Sequence, residues 1–237
     1  MPARLEGRIV LVTGAGHGIG AAVARACAAE GASLVLTARS RAALEEVDDQ
    51  VRAAGAERAT LVPLDLAKGN EVDLLGAALF QRFGRLDGLA ACAGELGLLT
   101  PVSHLDPAVM ARVLSVNLLA NQRLIRTLDP LLRASPAGRA VFATDSTGRN
   151  AAYWGAYGAG KAALESLVLS WAAELRITPV RVTLLDPGPV ATRLRATAFP
   201  GESPESLRRP DDVAGPFVDL LLAASTRHEE IVRLLQP

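Results

Sequence analysis

Short apolar runs alternate along the chain with longer stretches whose apolar residues recur at helical spacing. Ile9-Val10-Leu11-Val12 is an apolar run that ends at a glycine cluster, and Ala21 to Glu30 reads as a helix stopped by Gly31. Ser33 to Thr37 predicts a second strand, and Arg41 to Ala54 a second helix ended by Gly55. Thr60 to Leu64 predicts a third strand, and Glu71 to Phe83 a third helix before Gly84. Leu86 to Ala91 is a fourth strand, followed by a long helix from about Pro107 to Leu132. Ala140 to Ala143 is a fifth strand. A helix through Tyr157 then runs to about Arg176, and Val180 to Leu185 is a sixth strand. Glu230 to Leu235 reads as a short last strand, with a helix tail as the alternative. The segment 188–210 is rich in Pro, Gly, Arg and Ser and lacks a strong period. It reads as a long functional loop or small lid.

Strands alternating with helices of ten to twenty residues imply βαβ crossovers and a parallel sheet, an α/β fold with helices on both faces. No Gly/Ser-rich or Pro-rich linker splits the 237 residues, so residues 1–237 are read as a single domain.

Composition narrows the function classes. Basic and acidic residues balance at 25 each, so no basic excess points to nucleic acid or to an anionic membrane surface. The N-terminal residues lack an apolar core followed by a cleavage site. No uncharged run approaches the ~20 residues that cross a bilayer. A soluble, reduced, cytoplasmic protein is expected. The two cysteines, Cys27 and Cys92, sit in apolar surroundings and read as small buried hydrophobes, with no metal-ligand spacing around them.

Two motifs carry chemistry. Tyr157 stands four residues before Lys161, so on a helix both side chains share one face, about one turn apart. A free phenol titrates near ~10, and a nearby ammonium favours the phenolate, which makes the pair a candidate proton donor and acceptor. At the other end of the chain, the first strand runs into Thr13-Gly14-Ala15-Gly16-His17-Gly18-Ile19-Gly20 and then into a helix. Glycines at such a junction let backbone N–H groups approach a phosphate, beside the positive end of the helix.

Taken together, the glycine loop, Tyr157 and Lys161 resemble the short-chain dehydrogenase/reductase family over nearly the whole chain. The resemblance implies a doubly wound Rossmann-type sheet of about seven strands. It also implies a dinucleotide bound by Gly14, Gly16, His17, Gly18, Ile19 and Gly20. Arg39 and Ser40 follow the second strand, where an acidic residue would favour NAD. An arginine suits a 2′-phosphate, so NADP(H) is the preferred cofactor and NAD(H) the alternative. Asp65 and Leu66 match the family's adenine-binding position. Ala93 and Gly94 match its small cofactor-facing surface, although Ala91-Cys92 replaces the usual Asn-Asn. A hydrogen bond that steadies this loop must therefore come from elsewhere.

Asn117 matches the family asparagine at an irregularity of the central helix, where it holds a water that links the lysine to solvent. Pro187, Gly188, Val190 and Thr192 match the nicotinamide side of the site, with Arg193 and Arg195 just beyond. The family also places a serine about a dozen residues before the tyrosine, to hold the substrate oxygen. Here the stretch is Thr144-Asp145-Ser146, and counting lands on a different residue from each side. Ser146, the only serine, is the expected occupant. Asp145 in that place would repel a developing oxyanion and raise the tyrosine's pKa.

The expected activity is hydride transfer between NADP(H) and a small-molecule carbonyl/alcohol pair, with Tyr157 as general acid/base, Lys161 beside it, and Ser146 and Asn117 in support. A cofactor-binding protein without useful catalysis is the main alternative, and an isomerase or dehydratase a third. Family members commonly assemble through the central and tyrosine helices, so a homodimer or homotetramer is expected.

Overall fold

The computed structural model describes residues 3–234. Seven strands form one sheet in the order β3-β2-β1-β4-β5-β6-β7, and each neighbouring pair is parallel. They are β1 (Ile9–Thr13), β2 (Ser33–Ala38), β3 (Thr60–Pro63), β4 (Gly88–Ala91), β5 (Arg139–Ala143), β6 (Arg181–Asp186) and β7 (Glu230–Arg233). The helices among the described residues are α1 (Gly18–Ala29), α2 (Arg41–Ala53), α3 (Gly69–Phe83), α4 (Pro107–Leu114), α5 (Ala120–Arg133), α6 (Gly155–Glu174), α7 (Arg193–Ala198) and α8 (Ala214–Leu221).

Continuous apolar strands are explained by burial on both faces. In β1, Val10 and Val12 point into a core shared with α1, α2 and α8, where Leu44, Val47 and Phe217 are buried. Leu11 points the other way, into a core built with α3, α5 and α6 around Phe142, Leu128 and Trp171. The Phe142 ring meets Trp171 edge-on at 6.2 Å. Burying a side chain of this size stabilises the fold by about 1.5–3 kcal/mol.

The chain leaves β1 and β4 toward opposite faces, so a crevice opens at the carboxyl ends of these neighbouring strands. Two backbones nearly touch there. Gly14 has φ +67°, and a Cβ on it would stand 2.8 Å from Ala93 Cα; a Cβ on Gly20 would stand 2.3 Å from the Gly14 carbonyl oxygen. Only glycine fits at either position.

The long central helix is interrupted. A π-helical segment, Ser115–Leu119, joins α4 to α5 and carries the fully buried Asn117. Such segments leave backbone groups out of the regular ladder, and they recur at functional sites.

Segment 188–210 is not a plain loop. It holds α7 and a short turn at Pro204–Ser206, and it is pinned by a bridge from Val190 to Arg208. The helix α8 has no counterpart among the elements read from the sequence. Pro216 lies in the first turn, where no amide hydrogen is needed, and Val213, Phe217 and Leu221 form the buried stripe. The last strand is present as β7, parallel to β6. The Leu235 end of the expected strand lies outside the described residues.

Candidate active site

One groove crosses the carboxyl ends of the strands, from the glycine loop to Tyr157 and Lys161. At its glycine end, His17 is the N-cap of α1 and makes no side-chain cap. The first-turn N–H groups of α1 therefore remain available to an anion. Thr192 lies beside the loop: a Cβ on Gly18 would be 3.5 Å from its methyl group.

An adjoining cleft is lined by Gly16, His17, Arg39, Ser40, Arg193 and the acidic Glu46. The Arg39 and Arg193 side chains have no ion-pair partner among the described residues. Partial burial, with Arg193 and Arg39 nearby, pushes the His17 imidazole below its usual range. Ser40 caps α2, its hydroxyl accepting from Ala43 N–H at 3.2 Å. Thr37 lines the main groove at the end of β2, and its buried hydroxyl has no protein partner.

Asp65 and Leu66 line the groove after β3. The Asp65 carboxylate accepts from Ala67 N–H at 3.0 Å and pairs with Arg112 at 3.5 Å. Burial alone would raise its pKa, but the Ala67 hydrogen bond, Arg112 and Arg39 outweigh burial and hold it low. Arg112 also pairs with Glu95 at 3.1 Å. Neither Arg112 nor Glu95 was expected in the groove. Glu95 directly follows Gly94 in the chain, which is the one signal available in sequence.

Asn117 supplies the loop-steadying contact that the missing asparagines leave open. Its amide oxygen accepts from Glu95 N–H at 2.8 Å, and its amide nitrogen donates to Glu95 C=O at 2.9 Å. A second hydrogen bond runs from Ala93 N–H to the Thr13 hydroxyl at 3.3 Å. The buried amide is thereby satisfied. The backbone carbonyl of Asn117 accepts from Asn121 Nδ2 at 2.9 Å. Gly160 lets α6 approach this segment, since a Cβ there would stand 3.3 Å from Asn117 Cβ.

Tyr157 and Lys161 are both buried on α6 and line the groove. The Lys161 ammonium donates to Ala143 C=O at 2.9 Å, at the end of β5, and lies 5.8 Å from the Tyr157 ring centre. Burial lowers the Lys161 pKa, against the opposing pull of Asp145, Cys92 and Asp186. Pro187, Gly188 and Val190 close the groove after β6.

The segment after β5 departs from expectation. Ser146 is exposed and does not line the groove, and its backbone N–H donates to Asp186 at 3.1 Å. Thr144 lines the groove, but its hydroxyl donates to the buried Glu165 at 2.7 Å. Asp145 faces the tyrosine: the phenol donates to Asp145 Oδ2 at 3.0 Å, while Oδ1 accepts from Thr147 N–H at 2.7 Å. The position expected for Ser146 therefore belongs to Asp145. The physical cause is the buried Asp186, which accepts from both Ser146 N–H and Gly188 N–H. It fixes the turn with Ser146 outward and Asp145 inward.

A second correction follows for the tyrosine. The ammonium one turn away was expected to lower its pKa. Instead burial, then the charge of Asp145 and the hydrogen bond to it, and then Asp186 hold the phenol well above its ordinary range.

Arg195 is committed elsewhere, paired to Glu202 and lying 3.7 Å over the Phe199 ring. Beside the phenol, Trp154 stands 5.6 Å from both Tyr157 and Phe199, and these residues form an apolar cluster with Leu96. Cys27 and Cys92 are free thiols, and burial pushes Cys92 up to about 12. No helix among the described residues is long and apolar enough to cross a membrane.

The sequence pattern described as short chain dehydrogenase matches residues 8–203. The oxidoreductase YciK of Escherichia coli K12, itself uncharacterized, is 35% identical over 236 residues, covering 98% of this chain and 93% of that protein. A solved Pseudomonas syringae structure described as a short chain dehydrogenase superposes with a TM-score of 0.94. It is 39% identical and covers 98% of this chain and 96% of its own. A Shigella flexneri 2a short chain dehydrogenase, solved complexed with NADP, gives a TM-score of 0.93 at 33% identity, covering 98% of this chain and 99% of its own.

Proposed function

The chain belongs to the short chain dehydrogenase family and is an oxidoreductase of that family, and we propose that it transfers hydride between NADP(H) and a carbonyl/alcohol substrate, with Tyr157 as general acid and base. The observation that carries the reading is a phenol and an ammonium buried at one end of a groove whose other end is the glycine loop.

The groove fits the dinucleotide on its own terms. A Cβ at Gly14 or Gly20 would meet backbone at under 3 Å, so the tight loop needs glycine there, and Thr37, whose buried hydroxyl has no protein partner, lines the groove. The α1 N-terminus with Gly14, Gly16, Gly18, Ile19 and Gly20 would hold the pyrophosphate. His17, Arg39 and Ser40 would meet a 2′-phosphate, with no acidic residue at the end of β2 to claim a ribose hydroxyl. Asp65 and Leu66 would border the adenine. Ala93, Gly94, Pro187, Gly188, Val190 and Thr192 would border the nicotinamide. When bound, that cofactor supplies or accepts the hydride.

The protein's own part is position and proton movement. With its pKa held high, Tyr157 stays a phenol at neutral pH and is the proton donor in the reducing direction. Lys161, tied to Ala143 C=O, fixes positive charge beneath the site. Asn117 holds the Glu95 backbone and so the loop bearing Ala93 and Gly94. The proposal takes the chain as one dinucleotide-binding domain with a substrate loop at about 188–210. It includes a cytoplasmic setting and a homodimer or homotetramer built through the central and tyrosine helices, on which Leu119 is half exposed.

In the test, Tyr157→Phe is expected to lower turnover by about 10²- to 10⁴-fold, with NADPH affinity within about twofold of the parent. Turnover near the parent's rate refutes the role. The position of Asp145 favours a second reading, a cofactor-binding protein without useful catalysis. Tight NADPH binding with no turnover across a screen of carbonyl compounds would select it.

A further inference from the structure

Asp145 is the feature of this site that neutral carbonyl reduction does not use. It lines the groove, takes the phenol's hydrogen at 3.0 Å, and has no ion-pair partner among the described residues. Asp186, buried behind it, accepts only backbone N–H groups in the described contacts. Lys161 is the cation beside them, and its hydrogen bond goes to Ala143 C=O. Asp145 and Asp186 thus share one ammonium, while Arg195, which also lines the groove, is paired to Glu202.

For a neutral ketone that is unfavourable twice over. The phenol is engaged with Asp145 rather than with the substrate oxygen, and negative charge developing on that oxygen meets a carboxylate. A cation placed against Asp145 removes both objections. It cancels the carboxylate's field and frees the phenol's hydrogen to point at the carbonyl.

We propose that the substrate is a ketone with an ammonium group on the adjacent carbon, or in reverse the corresponding β-ammonium alcohol, and that Asp145 is the residue that selects it. The inference rests on the reading of Tyr157 as acid and base. Bond geometry sets the carbonyl oxygen and α-nitrogen of such a ketone about 3 Å apart when they lie on one side. That matches the 3.0 Å between the Tyr157 and Asp145 oxygens, so the oxygen can accept from the phenol while the ammonium donates to the carboxylate.

The reaction balances without a further reagent. Hydride from NADPH forms the new C–H bond, the C=O π pair moves to oxygen, and the Tyr157 proton joins that oxygen. The ammonium is unchanged and leaves on the alcohol.

The experiment compares initial rates with NADPH on 1-aminopropan-2-one, on the neutral 1-hydroxypropan-2-one and butan-2-one, and on anionic 2-oxopropanoate. The parent, Asp145→Asn and Asp145→Ser are assayed near neutral pH, with NADPH affinity measured by fluorescence. The parent is expected to favour the amino ketone in kcat/KM by about tenfold or more over the neutral ketones, with the anion poorest. Both variants lose about tenfold on the amino ketone, Asp145→Ser gains on the neutral ketones, and NADPH affinity stays within about twofold. A parent that prefers neutral ketones, or a preference unchanged in Asp145→Ser, overturns the inference and leaves the Tyr157 reading standing. If parent and variants bind NADPH yet reduce none of the four, both fall.

Discussion

The protein has only two tyrosines, Tyr153 and Tyr157, and this makes the field around the second directly measurable. Tyr153 is 58% exposed, so Tyr153→Phe leaves a chain whose single phenol is the buried one. Adding Asp145→Asn then removes one charge 3.0 Å from the phenol oxygen while keeping an acceptor there. Coulomb's law at that distance gives about 5.5 kcal/mol at an effective dielectric constant of 20 and about 1.4 kcal/mol in bulk water. At about 1.4 kcal/mol per pH unit those limits bracket a shift of about 1 to 4 units. Asp145 is half-buried and water reaches it, so the expected shift lies at the low end, about 1 to 2 units downward. Phenolate absorbance, titrated in the single and double variants, reads it, with circular dichroism marking where alkaline unfolding begins. Tyr153→Phe should titrate well above a free phenol, and Tyr153→Phe/Asp145→Asn distinctly lower. Superimposable curves would show that Asp145 does not act on Tyr157.

Further outcomes test other parts of the structure. Gly20→Ala places a methyl group 2.3 Å from the Gly14 carbonyl oxygen. It should weaken NADPH binding at least tenfold and destabilise the fold by over about 1 kcal/mol, read by titration and by thermal melting. Arg39→Asp should lower NADPH affinity about tenfold or more while leaving NADH affinity equal or improved; unchanged affinity for both would remove Arg39 from the phosphate site. Burial opposes ionisation of Asp87, but hydrogen bonds from Ser135, Ile9 N–H and Arg85 prevail and hold its pKa low. Its stabilisation is therefore complete above the unfolded-state value near ~4 and fades as pH falls below it. In Asp87→Asn the loss of melting temperature between neutral and acid pH should shrink.

Much of the site was legible because it is local. The glycine loop is the seven consecutive positions Gly14 to Gly20, running from the end of β1 into the first turn of α1, and the Tyr157–Lys161 spacing is one helical turn. Ala93, Gly94, Pro187 and Thr192 were named from the family resemblance, and they line the groove in the segments after β4 and β6, where the ends of parallel strands converge. Arg112 and Glu95 were missed because they are 17 residues apart and meet only when α4 packs beside the loop after β4.

The alternation of apolar runs and amphipathic stretches determined the order of strands and helices, since a strand buried on both faces and a helix buried on one need different periods. It also determined the parallel sheet. Only the tertiary structure decided which of three consecutive residues faces the phenol. That choice depends on Asp186, 41 residues beyond Asp145, capping two separate turns from the end of β6. It decided the direction of the Tyr157 pKa for the same reason: burial and the approach of a carboxylate are set by packing, and neighbours in sequence do not reveal them.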